Sequence, residues 1–72
     1  MTDSAANLYP IERRLRIDEV VSQTGLSRAG VYRREKNDPT FPKHIKDGTT
    51  SLWIESEVQT WIREQIRKAR AA

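Results

Sequence analysis

The chain has 72 residues, with 13 Lys and Arg against 10 Asp and Glu, which gives a formal net charge of +3 at pH 7. A protein of this size forms one small domain that buries only roughly 60% of its unfolded surface, which excludes a deep active-site cleft beside a separate core. The chain contains no cysteine, so disulfides and thiolate metal sites are excluded. Its small positive charge suits a polyanionic partner.

The first residues, MTDSAANLYPI, are mostly small and polar, and we predict a flexible N-terminal arm over residues 1–11. The arm lacks the basic start and apolar stretch of a signal peptide, and no apolar run in the chain approaches the ~20 residues of a membrane span. We therefore expect a cytoplasmic protein without a membrane partner. Residues 12–70 are predicted to form the single folded domain.

The stretch from Arg16 to Lys36, RIDEVVSQTGLSRAGVYRREK, predicts two short helices joined by a tight turn. At its start, Leu15 and Ile17 alternate with arginine, as in a short strand. The first helix is predicted over residues 18–23, where two acidic side chains favour the positive end of the helix dipole. Gly25 breaks this helix and leads into the next one.

The second helix is predicted over residues 28–37, with Ser27 as its N-cap, and it ends before Pro39 because proline disfavours a helical predecessor. Cations and hydrogen-bonding side chains lie along its outer face, a composition that suits insertion into the DNA major groove. The residues predicted to contact DNA from this helix are Ser27, Arg28, Tyr32, Arg33 and Lys36.

These residues also have plainer interpretations. Arginine can bond bidentately to guanine, so Arg28 and Arg33 are candidates for base contact, but both could hold only phosphate. Tyr32 could bond a phosphate or pack under the following hairpin, and Ser27 acts first as a cap. Glu35 would repel phosphate, so we expect it to face away from DNA, paired with an arginine.

A β-hairpin follows, with strands over residues 43–46 and 51–54 and turn chemistry at Asp47-Gly48. The hairpin tip would reach the DNA backbone or the minor groove, although solvated charge is the alternative for every cation in this part of the chain. The residues predicted to contact DNA from outside the second helix are Lys46, Thr49, Thr50 and Arg16.

The last helix is predicted over residues 55–70, because its apolar side chains recur at helical spacing. Its arginines form a second stripe, for which a solvated face is the default interpretation. We predict one core from the large apolar side chains, which are Leu15, Ile17, Val20, Val21, Leu26, Val31, Phe41, Ile45, Leu52, Trp53, Ile54, Val58, Trp61, Ile62 and Ile66.

The predicted order of elements is short strand, helix, turn, helix, hairpin, helix. A helix-turn-helix followed by a β-hairpin is typical of a winged helix. The fold class is therefore mainly α with a small β-hairpin, a winged helix-turn-helix whose second helix enters the major groove.

Three motifs resemble a known family: GLSR-x-x-VYR at residues 25–33, DPTFP at residues 38–42 and W-x-ESEV-x-x-W at residues 53–61. Together they are similar to the AlpA-like family of prophage and mobile-element regulators. The resemblance implies a winged-helix DNA-binding domain related to the MerR type. It implies a transcriptional regulator of integrase and other prophage genes, or an excisionase, which binds attachment DNA and biases integrase toward excision.

The family pattern maps the wing onto residues 46–51, and the sequence departs from that pattern in two places. Glu35 stands where members commonly carry an apolar residue, and the wing tip DGTTS lacks the arginine often present. The pattern places the reading end of the recognition helix at Ser27, Arg28, Tyr32 and Arg33.

Two classes of function fit the sequence. The first is a sequence-specific DNA-binding protein whose partner is double-stranded promoter or attachment-site DNA, with integrase and further copies of the chain as additional candidates. The second is a small protein-interaction adaptor that uses the last helix. An enzyme is not expected, because the chain has no cysteine, His44 as its only histidine and no glycine-rich phosphate loop. We predict no catalytic residue, no metal site and no cofactor.

Overall fold

A computed structural model describes residues 12–71, so the predicted arm over residues 1–11 lies outside the described residues. Within these residues three helices and three short strands form in the predicted order, and the mainly α winged helix-turn-helix fold is confirmed. The elements are β1 (Arg14–Leu15), α1 (Ile17–Thr24), α2 (Arg28–Asn37), β2 (Ile45–Asp47), β3 (Thr50–Ile54) and α3 (Glu55–Ala71).

Local hydrogen bonds define the ends of α1. The side chain of Glu19 accepts the backbone N–H of Arg16 at 2.9 Å, which satisfies a donor at a helix start that has no Ser, Thr, Asp or Asn cap. At the other end, Gly25 has φ 78°, and its N–H donates to the carbonyl of Val21 at 2.9 Å. The left-handed conformation turns the chain sharply toward α2, and glycine adopts it without steric cost.

The predicted cap of α2 is confirmed. The hydroxyl of Ser27 accepts the backbone N–H of Gly30 at 2.9 Å, and the carbonyl of Ser27 accepts the N–H of Val31. These bonds fix the first turn of α2 directly after the turn that ends α1, so the angle between the two helices is set within a few residues.

The three strands form one antiparallel sheet in the order β1-β3-β2. β1 pairs Leu15 with Trp53, and β2 pairs Asp47 with Thr50. The hairpin turn is therefore Gly48-Thr49, one residue later than predicted. Gly48 has φ 63° at the first of the two turn positions, which is the signature of the type II′ turn that matches the twist of a hairpin.

One hydrophobic core joins all three helices to the sheet. Its buried members are Leu15, Val20, Val31, Phe41, Leu52, Trp53, Val58 and Trp61, and Ile17, Val21, Leu26 and Ile62 pack partly buried against it.

Two residues that were predicted to lie in the core are exposed, so these two predictions are wrong. Ile45 is 45% exposed because β2 is a three-residue edge strand with every side chain exposed. Ile66 is 44% exposed because it lies in the C-terminal half of α3, whereas the buried residues of that helix, Val58 and Trp61, lie in its N-terminal half.

None of the helices formed by residues 12–71 has the length and apolar content needed to span a bilayer.

Candidate nucleic-acid interface

The outer face of α2 is an exposed cationic surface of the helix-turn-helix. Helical spacing places Ala29, Arg33 and Lys36 on the side of α2 opposite the buried Val31 and Glu35, and all three are exposed. Within residues 12–71, Arg33 and Lys36 take part in no ion pair. Their charges are therefore available to an anion that approaches the helix from outside.

The N-terminal end of α2 has its polar groups occupied from within the protein. The hydroxyl of Ser27 is already the acceptor that caps the helix. Arg28 Nη1 lies 3.0 Å from Asp18 Oδ1 of α1, and both side chains are largely exposed. An exposed pair of this kind contributes about 0–1 kcal/mol, so Arg28 can exchange Asp18 for a stronger partner at little cost.

Tyr32 connects α2 with the sheet. Its ring contacts Trp53 edge to face, with the centroids 5.9 Å apart and the planes at 61°, while the residue stays 43% exposed. The Tyr32 ring therefore packs against the hairpin, which is one of its two predicted roles. Because Tyr32 is partly exposed, it can also make a further contact.

The wing candidates share the β2–β3 hairpin. Lys46 is exposed on β2 opposite Ser51, Thr49 is exposed in the turn, and Thr50 is half-buried at the start of β3. The three lie within five residues around one tight turn. Because Lys46 pairs with Ser51, the neighbour of Thr50, Lys46 and Thr50 lie on opposite faces of the hairpin.

Arg16 stands apart from this group. It is exposed at the N-cap of α1, directly after β1. Since β1 and β2 lie on opposite sides of β3, the sheet separates Arg16 from Lys46. The structure thus brings the α2 residues together and the wing residues together, with Arg16 beyond the opposite edge of the sheet.

Sequence reasoning missed a polar cluster behind α2. Glu35 is 8% exposed, and its Oε2 accepts the backbone N–H of His44 and lies 2.7 Å from His44 Nδ1. Lys43 Nζ donates to the backbone carbonyl of Glu35. The expected orientation away from the outer face is confirmed, but the expected arginine partner is wrong, because the partner is His44. A lone histidine nine residues away along the chain gives no sequence signal for this pairing.

Arg34 faces α3. Its guanidinium carbon lies 5.5 Å from the centroid of the Trp61 ring, and Nη1 lies 3.6 Å from Asp38 Oδ2. This arginine therefore stabilises the contact between α2 and α3 and does not belong to the outer face.

Residues 13–66 match the protein family described as "Prophage CP4-57 regulatory protein (AlpA)". The chain belongs to the AlpA family. The DNA-binding transcriptional activator AlpA of Escherichia coli (strain K12) is 34% identical over an alignment of 61 residues, and the match covers 76% of this chain and 87% of that relative. No solved structure gives a significant match.

The AlpA-family match includes every part of the candidate interface. It begins at Arg13, before β1, and ends at Ile66 within α3. The resemblance first recognised from three motifs is thereby confirmed, and the winged helix-turn-helix is the fold of this AlpA-family chain.

Proposed function

We propose that this AlpA-family protein is a sequence-specific regulator that binds double-stranded DNA of a prophage or integrative element. In this proposal α2 enters the major groove and the β2–β3 turn contacts the sugar-phosphate backbone. The observation that carries it is the outer face of α2, where Arg33 and Lys36 are exposed and, among residues 12–71, have no ion-pair partner.

Each predicted DNA-binding residue has a role in this arrangement. Arg33, at the centre of the outer face, reads a base edge, and Lys36 neutralises a phosphate further along the helix. Arg28 leaves Asp18 for the DNA, while the wing supplies phosphate contacts. The remaining residues proposed to contact the backbone are Ser27, Tyr32, Lys46, Thr49, Thr50 and Arg16.

The relative in Escherichia coli supports this assignment, because it is named a DNA-binding transcriptional activator. The AlpA family is one of regulators, and the proposed mechanism needs no catalytic residue and no cofactor. Promoter or attachment-site DNA would place the protein in the cytoplasm. Since one small domain covers few base pairs, further copies on repeated sites would extend the contact.

Transcriptional regulation and excision are two forms of the same activity, because both require specific binding and the second also requires bending of DNA. We propose that one experiment separates them: deletion of the gene from a strain that carries the element. Loss of the excised circle with an unchanged integrase transcript would indicate an excisionase that acts with integrase. A changed integrase transcript would indicate a transcriptional regulator.

The DNA-binding proposal is tested by selecting duplexes from a randomised pool with the wild-type protein. Binding of the selected duplex and of a scrambled duplex is then compared for wild type, Arg33→Ala and Arg63→Ala. Arg33→Ala should weaken binding of the selected duplex by about 1–3 kcal/mol more than binding of the scrambled one, because a bidentate base contact is lost. Arg63→Ala removes the same charge from α3 and should lower both affinities slightly and equally.

Two results would contradict the proposal. Equal losses on both duplexes for Arg33→Ala would mean that this residue holds only phosphate. Failure of the wild-type protein to enrich any duplex, without salt-sensitive binding, would favour the protein-interaction adaptor instead.

A further inference from the structure

The carboxylate of Glu35 is held out of solvent on the side of α2 that faces away from the proposed DNA. Glu35 is the only charged residue among residues 12–71 that is buried in this structure. Moving a carboxylate from water into a protein interior is costly unless hydrogen bonds replace its hydration. The groups that supply those hydrogen bonds therefore indicate what the buried charge holds together.

Both partners of Glu35 belong to the segment that leads into the wing. His44 donates its backbone N–H to Glu35 Oε2, and its ring Nδ1 lies 2.7 Å from the same oxygen. An ionised carboxylate only accepts hydrogen bonds, so the ring presents Nδ1–H to it. Lys43 Nζ donates to the backbone carbonyl of Glu35. Because β2 begins at Ile45, these contacts attach α2 directly to the base of the hairpin.

Apolar packing holds the outer strand of the wing only weakly. All three residues of β2 are exposed, so this strand contributes no buried side chain to the core. Its position depends on the ladder to β3 and on residues 43 and 44 at its base. Hydrogen bonds are directional, whereas hydrophobic burial is not, so the polar contacts define an angle that the core alone would leave loose.

An aromatic contact runs beside the polar one. The His44 ring lies 5.4 Å from the ring of Trp53, and Tyr32 of α2 contacts the same indole at 5.9 Å. Trp53 is fully buried in β3. The imidazole therefore contacts both Trp53 and Glu35, which restricts its orientation.

We propose that the Glu35–His44 pair sets the angle between α2 and the β2–β3 wing, which makes Glu35 a positioning residue for DNA recognition. The inference rests on the proposed function, because it concerns the geometry with which the two DNA-contacting elements meet one duplex. An error in that angle would move the wing away from the DNA backbone while α2 sits in the major groove, or would move α2 out of the groove while the wing contacts the backbone. The pair itself touches no DNA.

The test uses two substitutions at Glu35 and one control of matched charge. Glu35→Leu fills the site but removes the hydrogen-bond acceptor, so the backbone N–H and ring Nδ1 of His44 lose their partner and some stability is lost. Glu35→Gln keeps an oxygen acceptor for His44. Glu57→Leu makes the same change of net charge at an exposed position of α3.

The first readout needs no DNA. Residual dipolar couplings of backbone amides in α2 and the hairpin report the angle between them, and the 15N shifts of His44 report which ring nitrogen carries the proton. We expect Glu35→Leu to lower the melting temperature, to change or average the hairpin couplings and to alter the His44 shifts. Wild-type couplings within α1 and α3 would show that the variant is folded. Glu35→Gln should restore the wild-type couplings, and Glu57→Leu should leave them unchanged.

The second readout is the ratio of affinities for the selected and the scrambled duplex. Glu35→Leu should reduce this ratio about tenfold, the equivalent of one misplaced base contact, with scrambled-duplex affinity equal to that of Glu57→Leu. Wild-type hairpin couplings in Glu35→Leu would overturn the proposal, and so would an unchanged ratio. If the wild-type protein itself shows no preference between the duplexes, the proposed function fails, whereas the couplings still decide whether the pair sets the angle.

Discussion

Asp38 is the residue that follows α2, and four hydrogen-bonding or charged groups surround its carboxylate. Its Oδ1 accepts the hydroxyl of Thr40 at 2.6 Å and the backbone N–H of Thr40 at 2.9 Å. Its Oδ2 accepts the indole N–H of Trp61 at 3.2 Å and faces Arg34. The Thr40 hydrogen bonds, helped by Trp61 and Arg34, lower the pKa of Asp38 from 3.8 to about 2.

This pKa predicts acid sensitivity. Because the folded value of about 2 lies below the unfolded value near 3.8, Asp38 stabilises the fold fully above about pH 4 and loses that contribution as the pH falls toward 2. Thermal unfolding of wild type and Asp38→Asn between these pH values should show melting temperatures that converge as the pH falls. Curves that stay parallel across the window would mean that Asp38 contributes no acid-labile stability.

Single residues were predictable from the sequence where a local rule decides their role. Ser27 is a cap because its hydroxyl meets an N–H three residues later, and Phe41 is buried as expected beside Trp61, with ring centroids 4.9 Å apart. The burial of Glu35 and its pairing with His44 were not predictable from a local rule. Whether its charge is buried depends on where His44 lies after the intervening loop, and nothing in the spacing of the two residues indicates that position.

At the scale of elements, α3 shows where apolar periodicity stops being informative. The stripe that begins at Val58 and Trp61 continues to Ile66, but only the first two are buried. A helix of 17 residues is about 25 Å long, which exceeds what this small body can cover. Periodicity predicts the helix and its inner face correctly, whereas the extent of contact depends on the size of the rest of the protein.

The two ends of this stripe should differ in their effect on stability. Trp61 is 6% exposed and contacts Phe41, Arg34 and Asp38, so Trp61→Ala should lower the free energy of unfolding by about 3–5 kcal/mol. Ile66→Ala removes a side chain that is 44% exposed and should cost less than about 1 kcal/mol. Urea unfolding of both variants measures the difference, and similar losses would mean that the outer half of α3 is packed in solution.

The strands were the elements least determined by their own residues. The hairpin was predicted from its turn chemistry, with the turn placed one residue early, because Asp47 and Gly48 both suit a turn. β1 was expected as a short strand, but its partner was not predicted. Two residues carry too little pattern to choose a neighbour, and pairing with β3 depends on the whole chain being folded.

At the scale of the whole molecule, the candidate interface consists of two separate elements on one small body. α2 supplies the residues that could discriminate bases, and the hairpin supplies Lys46 and two threonines. If both meet one duplex, the wing should contribute affinity that depends on salt but little discrimination between sequences.

Lys46→Ala tests this division. Neutralising one phosphate contact should reduce the slope of log affinity against log salt by about 0.9, with the ratio between selected and scrambled duplexes unchanged. Fluorescence anisotropy over about 50–200 mM salt provides the measurement, with Lys68→Ala on α3 as the control of equal charge. An unaltered slope for Lys46→Ala would place the wing away from the DNA backbone.

The strand order has a consequence for the behaviour of this protein at high concentration. β3, the longest strand, lies between β1 and β2, so within residues 12–71 the outer edges of the sheet belong to strands of two and three residues. These edges carry Arg14, Lys46 and Asp47. Long uncharged edges template the growth of fibrils, and short charged ones resist it. Many copies could therefore crowd onto neighbouring sites without their sheets joining into aggregates.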